Sequence, residues 1–561
     1  MSRTRRESIV LAVVALVAAA FFFTALGRAD LYNPDEPREA EMAREMRASG
    51  DFLVPRLNGE PFLEKPPLFY WLVITAYRAA GGPGEAPARF VPACAGLLCV
   101  LLTWSLARDL IGRRAAPLAA VVLLTSFEFY WISRRCLIDM PLTLAVLLAC
   151  VALYRGIVIG GRRRVAWLFV AYLAIGAAVL FKGIVGAGIP ALVAIGWLAA
   201  RRDWRGLWRH ALVPGGLLAL VPTALWVARL SSRLGGAAVH EFIVINNIMR
   251  FTGGAAKGHD NPIYYYLPTL MVDLAPWSIA LLFALVAAVR SASLLNAAPA
   301  DAAGDDEARP GALVDLLLWF GLPIVVLSLA STKRGLYLLP IHPPAAMLVA
   351  WWLSASGGRA RAWGRRLLLG LTVVLAAGIL AALRLARPGD ILIPCALVAL
   401  LIPPGVVAFR AMRADAGRRF GYAIAAATAV LLQCVTLVIV PAIVNGGTSA
   451  RAAAGDLARM SEAGDPIALY QFREGMVGGF LFYSGRTFPN LRDPDHLKTH
   501  LEGGSGDPFG PRPIVLMRAA AFASAAAALP FPIREVRRYS TPTLLRSQAG
   551  EGDYILVARD R

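Results

Sequence analysis

Apolar runs of about 20 residues recur along most of this chain, and they decide what it can fold into. A run of that length is a helix that spans the hydrocarbon core of a bilayer, where backbone polar groups must be satisfied internally. The chain has 561 residues, 57% of them hydrophobic. Its mean hydropathy of +0.58 is too high for a water-soluble protein of this size. Length and apolarity mark about 13 spanning candidates. They centre on residues 8–27, 88–107, 115–133, 140–157, 165–181, 183–200, 210–229, 267–289, 311–330, 336–354, 367–384, 390–409 and 420–444. The first follows a basic start and imitates a signal peptide, but it is longer than a typical apolar signal core and reads as an uncleaved helix.

The net charge of +20 suggests nucleic acid until the arginines are located. Most sit in short loops between apolar runs, which is a topology signal. With Arg3, Arg5 and Arg6 inside, alternate loops hold Arg108/Arg113/Arg114, Arg155/Arg162/Arg163/Arg164, Arg201/Arg202/Arg205/Arg209, Arg359/Arg361/Arg365/Arg366 and Arg410/Arg413/Arg418/Arg419. Only the loop at 290–310 is poor in arginine, and it is acidic. The positive-inside rule therefore supports one threading, with a basic surface that also attracts anionic lipids. Six cysteines lie almost wholly inside apolar runs and read as small core residues, not as a disulfide framework.

This threading places the 28–87 loop, residues 134–139, Lys182, the 230–266 loop, residues 331–337 and the tail from 446 on the outer face. Those segments hold nearly all the unusual residues. In the first loop Asn33-Pro34 predicts a helix cap and first position over 34–48, with Glu36 at the third position and Met42 and Met46 on one side. Residues 67–80, including Tyr70, are apolar but too short to cross and suit an interfacial helix. In the tail, strands at 467–472, 514–517, 533–538 and 554–558 alternate with helices at 475–483 and 519–528, which predicts a small α/β domain.

Asp35 and Glu36 stand beside a membrane helix, where two carboxylates need water, a partner or a substrate. Acids in a first helical turn also suit the helix dipole without any chemistry. Glu64-Lys65 repeats the pattern before Pro66-Pro67. Lys65 is either a snorkelling anchor or a cation that holds a phosphate. Arg134, Arg135 and Asp139 make an interface salt bridge or line the same cavity. Lys333-Arg334 runs against the inside rule, and an anion such as phosphate explains it, with Tyr337 one turn further in. His259-Asp260 can ligate a metal or relay a proton, with Glu64 as the partner carboxylate; two ligands alone make a weak site.

Together, Asp35-Glu36, Leu63-Glu64-Lys65-Pro66-Pro67, Asp139, Phe181-Lys182-Gly183, Arg250-Phe251 with Pro262-Ile263-Tyr264-Tyr265-Tyr266, and Thr332-Lys333-Arg334-Gly335-Leu336-Tyr337 resemble the bacterial aminoarabinose transferases of lipid A. These are GT-C class glycosyltransferases related to protein O-mannosyltransferases. The resemblance implies an all-α polytopic protein, with residues 1–445 as the transferase domain and 446–561 as a soluble periplasmic α/β domain. It implies transfer of 4-amino-4-deoxy-L-arabinose from undecaprenyl phosphate to lipid A phosphates at the periplasmic face of the inner membrane, by a monomer with a cytoplasmic N-terminus. Resistance to cationic peptides such as polymyxin follows from that activity. The resemblance puts Asp35, Glu36 and Asp139 in the catalytic set. It puts Arg38, Glu64, Lys65, Tyr70, Lys182, Arg250, Lys333, Arg334 and Tyr337 on substrate. No cofactor is required by it; a zinc or magnesium ion would fall to Glu64 and His259. A GT-C enzyme with a protein or glycan acceptor, and a lipid-linked sugar transporter, are the competing expectations.

Overall fold

The computed structural model describes residues 3–32, 34–249, 252, 261–295, 307–309, 311–355, 357–386, 391–445, 449–503, 512–540 and 553–560. Within them the chain forms two compact units. The first comprises Met1–Leu26, Leu63–Phe69 and Arg89–Ile439, and the second Gly27–Phe62, Tyr70–Ala88 and Val440–Arg561.

The first unit is a bundle of membrane-length helices. Among the described residues nine helices are long and apolar enough to cross a membrane, or eleven if each of two bent pairs is one span. The remaining two of the thirteen expected segments are the shorter apolar helices Glu7–Phe23 and Val185–Ala200. This is a multi-pass membrane protein. The bent pairs are Ala116–Leu124 with Phe127–Ser133, at 67°, and Tyr266–Asp273 with Ser278–Ala292, at 115°. Their breaks are tied together: the Phe127 N–H donates to the Ala275 carbonyl at 3.1 Å, and the Trp277 indole to the Thr125 hydroxyl at 3.1 Å. Each break frees backbone groups, and the first of these bonds re-satisfies one on either side.

Charge inside the bundle is mostly matched. The Arg201 fork holds Asp315 at 2.8 and 2.7 Å. The Arg155 fork holds Asp109 at 2.9 and 2.8 Å. Arg134 does not pair with Asp139. It donates to the carbonyls of Phe21, Phe22 and Thr24, at 2.8, 2.8 and 2.5 Å, and so caps the end of the first helix. All six cysteines are free.

The second unit contains a five-stranded mixed sheet. Its order is Asn490–Leu491, Ile467–Tyr470, Ile514–Arg518, Tyr554–Arg559, Ile533–Tyr539; the first three strands are parallel, and Tyr554–Arg559 runs antiparallel to both of its neighbours. Ala468, Tyr470, Val515, Met517, Ile555 and Val557 share one buried cluster with Leu497 and Leu501 of the helix Pro494–Glu502. Segments of the 28–87 loop belong to this unit. The Asp30 carboxylate accepts from Ser449 at 2.6 Å and from Arg451 at 2.9 Å. The Asn58 amide and the Phe488 backbone exchange two hydrogen bonds, at 2.7 and 3.0 Å.

The helix Asp35–Ser49 packs on Glu474–Ser484 through two glycines. A Cβ at Gly475 would stand 2.9 Å from the Pro34 Cβ, and one at Gly478 only 2.6 Å from the Arg38 Cα. Arg44 fastens the same contact, with two bonds to Glu41 at 2.6 and 2.7 Å and one to the Gly485 carbonyl at 3.1 Å. Burial, opposed by the Arg44 bonds, leaves the Glu41 carboxyl at about 7. We predict that Gly478→Ala destabilises the protein by about 1–3 kcal/mol, because a backbone atom must move. Gly455→Ala, where a Cβ meets nothing closer than 3.8 Å, is predicted to gain up to about 1 kcal/mol. Thermal unfolding in detergent checks both.

Candidate active site

In the second unit three of the expected residues are linked through a fourth that the sequence reading missed. The Asp35 carboxylate pairs with Arg38 at 2.9 Å, one helical turn on. The same Arg38 nitrogen reaches Glu39 at 3.1 Å, and the Tyr70 hydroxyl donates to the other Glu39 oxygen at 2.9 Å. Glu39 is fully buried, so both its oxygens need such partners. Arg38 also lies over the Phe62 ring, 5.5 Å from its centroid. Asp35 thus sits half-buried at the end of a fixed chain of polar contacts, with an oriented cation beside it. The signal for Glu39 was its register: it shares a helical face with the buried Met42 and Met46, where an acid is out of place.

Glu36 takes a different position. It is 1% exposed and accepts the Tyr32 N–H at 2.8 Å, reaching back to close the helix start. The helix begins at Asp35 with Pro34 at the cap, one residue later than the motif predicts. Asn33, Arg250 and His259 lie outside the described residues.

In the first unit Asp139 begins the helix Asp139–Leu153 and forms an ion pair with Lys182, the last residue of Arg164–Lys182. The Lys182 ammonium lies over the Tyr337 ring, 4.8 Å from its centroid. Three residues from three expected segments therefore meet. Gly183 turns the chain immediately afterwards at φ +75°, and the Asn247 amide oxygen occupies the space a side chain would need. Asn247 accepts the Ile184 N–H at 3.3 Å, and Asn246 donates to the Leu63 carbonyl at 3.4 Å, just before Glu64-Lys65. Both Glu64 and Lys65 are half-buried.

Lys333 is 5% exposed, and its ammonium donates to the Asn261 carbonyl at 2.9 Å. No carboxylate pairs with it among the described residues. A buried ammonium with a neutral partner keeps its charge available to an anion. Among the described residues no group of three or more His, Cys, Asp and Glu side chains is placed to hold a metal ion.

Two acids absent from the sequence-derived set lie at the helix breaks. Glu128 follows the first break, and Asp273 precedes the second. The charged group that acts on Asp273 is Glu128, and Glu128 in turn feels Arg135 and Asp139. The readable signal was an acid inside each of the spans 115–133 and 267–289.

Residues 64–228 match the family described as dolichyl-phosphate-mannose-protein mannosyltransferase. Over 437 residues the chain is 30% identical to the undecaprenyl phosphate-α-4-amino-4-deoxy-L-arabinose arabinosyl transferase of Pectobacterium carotovorum, covering 74% of this chain and 73% of that one. The chain belongs to that arabinosyl transferase family. The corresponding transferase of Edwardsiella ictaluri is 32% identical over 337 residues, covering 58% of this chain but only 56% of the relative's length. The fold is shared from end to end with the crystal structure of ArnT from Cupriavidus metallidurans bound to undecaprenyl phosphate. The TM-score is 0.74 at 22% identity, with 99% of this chain and 98% of that chain covered. Family membership is what the Leu63-Glu64-Lys65-Pro66-Pro67 and Thr332–Tyr337 motifs lead one to expect.

Removing Lys182 would strand the Asp139 carboxylate, which is 7% exposed. We predict that Lys182→Met costs about 3 kcal/mol. Adding Asp139→Asn is predicted to restore most of that loss, as read by thermal unfolding.

Proposed function

We propose that this chain transfers 4-amino-4-deoxy-L-arabinose from undecaprenyl phosphate to phosphate groups of lipid A, on the periplasmic face of the bacterial inner membrane. The observation that carries this reading is the 30% identity to the Pectobacterium transferase across most of both chains. The proposal sets the N-terminus in the cytoplasm and the 446–561 domain in the periplasm, in line with the arginine-rich loops.

The chemistry asks for few groups. Breaking the sugar–phosphate bond builds negative charge on the leaving lipid phosphate. Fixed cations stabilise that charge more in the transition state than in the ground state. Lys65, Lys333 and Arg334 are the cations assigned to it. The acceptor phosphate is already anionic and needs little help from a base. Asp35 therefore orients the acceptor or the sugar, or stabilises positive charge at the anomeric carbon. Its pair with Arg38 holds it in place for either task.

The mannosyltransferase family match over residues 64–228 favours, as a second reading, a protein acceptor for the same type of lipid-linked donor. One assay separates the two: purified chain, lipid-linked aminopentose, and either lipid A or membrane protein as acceptor, with product read by mass. The proposal expects product on lipid A. Asp35→Asn is expected to lose at least about 100-fold in kcat, with no more than about 1 kcal/mol lost in stability. Lys65→Ala is expected to weaken donor use while the fold holds. Full turnover by Asp35→Asn would remove Asp35 from the chemistry, and product on protein alone would replace the first reading with the second.

A further inference from the structure

The two bent helix pairs of the membrane unit meet at their breaks, and each break carries an acid. Asp273 is 7% exposed, and its Oδ2 has no hydrogen-bond partner. No cation pairs with Asp273 among the described residues, and the one cation that Glu128 feels is Arg135. The contrast with the rest of the bundle is sharp. Asp139 is held by Lys182, Asp315 by Arg201 and Asp109 by Arg155. A buried acid without a paired cation is costly, and in a membrane bundle such a residue points to a functional site. Broken helices at that depth are where membrane proteins build binding sites.

Asp273 lies against the start of the segment that carries Tyr337. A Cβ at Gly335 would stand 3.5 Å from Oδ2, so glycine leaves that oxygen facing backbone and not a side chain. Gly335 begins the segment Gly335–Ile341, which carries Tyr337, the ring beneath the Lys182 ammonium. The acids thus border the Asp139–Lys182–Tyr337 group within the same unit. Asp139 is already paired there, which leaves Asp273 to receive a cation from outside, with Glu128 beside it.

We infer that Asp273, with Glu128 beside it, forms the subsite that binds the ammonium group of an amino sugar on the lipid-linked donor. This rests on the transferase reading above, because the sugar in the relatives' names carries a 4-amino group. A carboxylate that meets an ammonium in a dry pocket makes a charge-assisted hydrogen bond. A neutral sugar with a hydroxyl at the same carbon leaves the carboxylate uncompensated and is rejected. The two acids are specificity-determining residues that select the amino sugar over its neutral counterpart.

The test is donor binding to the purified full-length protein in detergent, without acceptor. Two donors are compared: undecaprenyl phosphate carrying 4-amino-4-deoxy-L-arabinose, and the same lipid carrying L-arabinose. The wild type is expected to bind the amino donor roughly 10- to 100-fold more tightly. Asp273→Asn is expected to bind the two within a few-fold of each other, and Glu128→Gln to narrow the preference as well. Thermal unfolding of each variant shows that it is folded. Equal binding of both donors by the wild type, or an undiminished preference in both variants, overturns the inference. Transfer to lipid A is measured in parallel. Selective binding without transfer would sink the transferase reading while leaving the amine subsite standing.

Discussion

A charge taken out of water must find a partner, and the membrane unit is organised around that constraint. Asp139 with Lys182 ties together two neighbouring helices, and Asp315 with Arg201 ties two more. Arg134 spends its guanidinium on three carbonyls at the end of the first helix. Each is a place where an unmatched polar group would cost several kcal/mol in hydrocarbon. Matching is therefore the background against which Lys333, Glu128 and Asp273 stand out. One is a buried ammonium held by a carbonyl, and the other two are acids at the helix breaks, Asp273 without a paired cation among the described residues and Glu128 facing only Arg135. One excess positive site and one excess negative site are what a zwitterionic donor, with a phosphate and an amine, would require.

The second unit solves a different problem. It holds Asp35 at the start of a short helix. Two glycines let that helix approach Glu474–Ser484 to backbone contact, and the chain Asp35–Arg38–Glu39–Tyr70 fixes its polar face. The tail, which has no evident catalytic motif, has a structural task in this: it supplies the surface that orders the first loop through Arg451, Phe488 and Gly478.

Much of this was legible in the sequence because hydrophobic length is a local property. All thirteen apolar segments are helices or bent helix pairs, and the four longer strands of the tail are where alternation puts them. The helices Arg451–Glu462 and Pro494–Glu502 were missed because they are short and polar, and their few apolar residues gain meaning only against the sheet. The strand Asn490–Leu491 is two residues long and exists through its parallel partner. At the site, motif residues were legible and partners were not. Asp139 reads as a neighbour of Arg134 in sequence, yet its partner is Lys182, 43 positions on. Glu39, Glu128 and Asp273 were passed over for a related reason: each is a lone acid whose only signal is its register or its place inside an apolar span, and no sequence neighbour names its partner.

The arrangement of matched and unmatched charge supports a membrane enzyme that handles a lipid-linked, charged sugar. The account is tested most directly by the mass of lipid A from cells that lack aminoarabinose transfer, with and without this chain. It predicts that lipid A gains the mass of one or two aminopentose groups when the chain is present. Unmodified lipid A, from membranes shown to contain the folded protein and its lipid-linked donor, would contradict it.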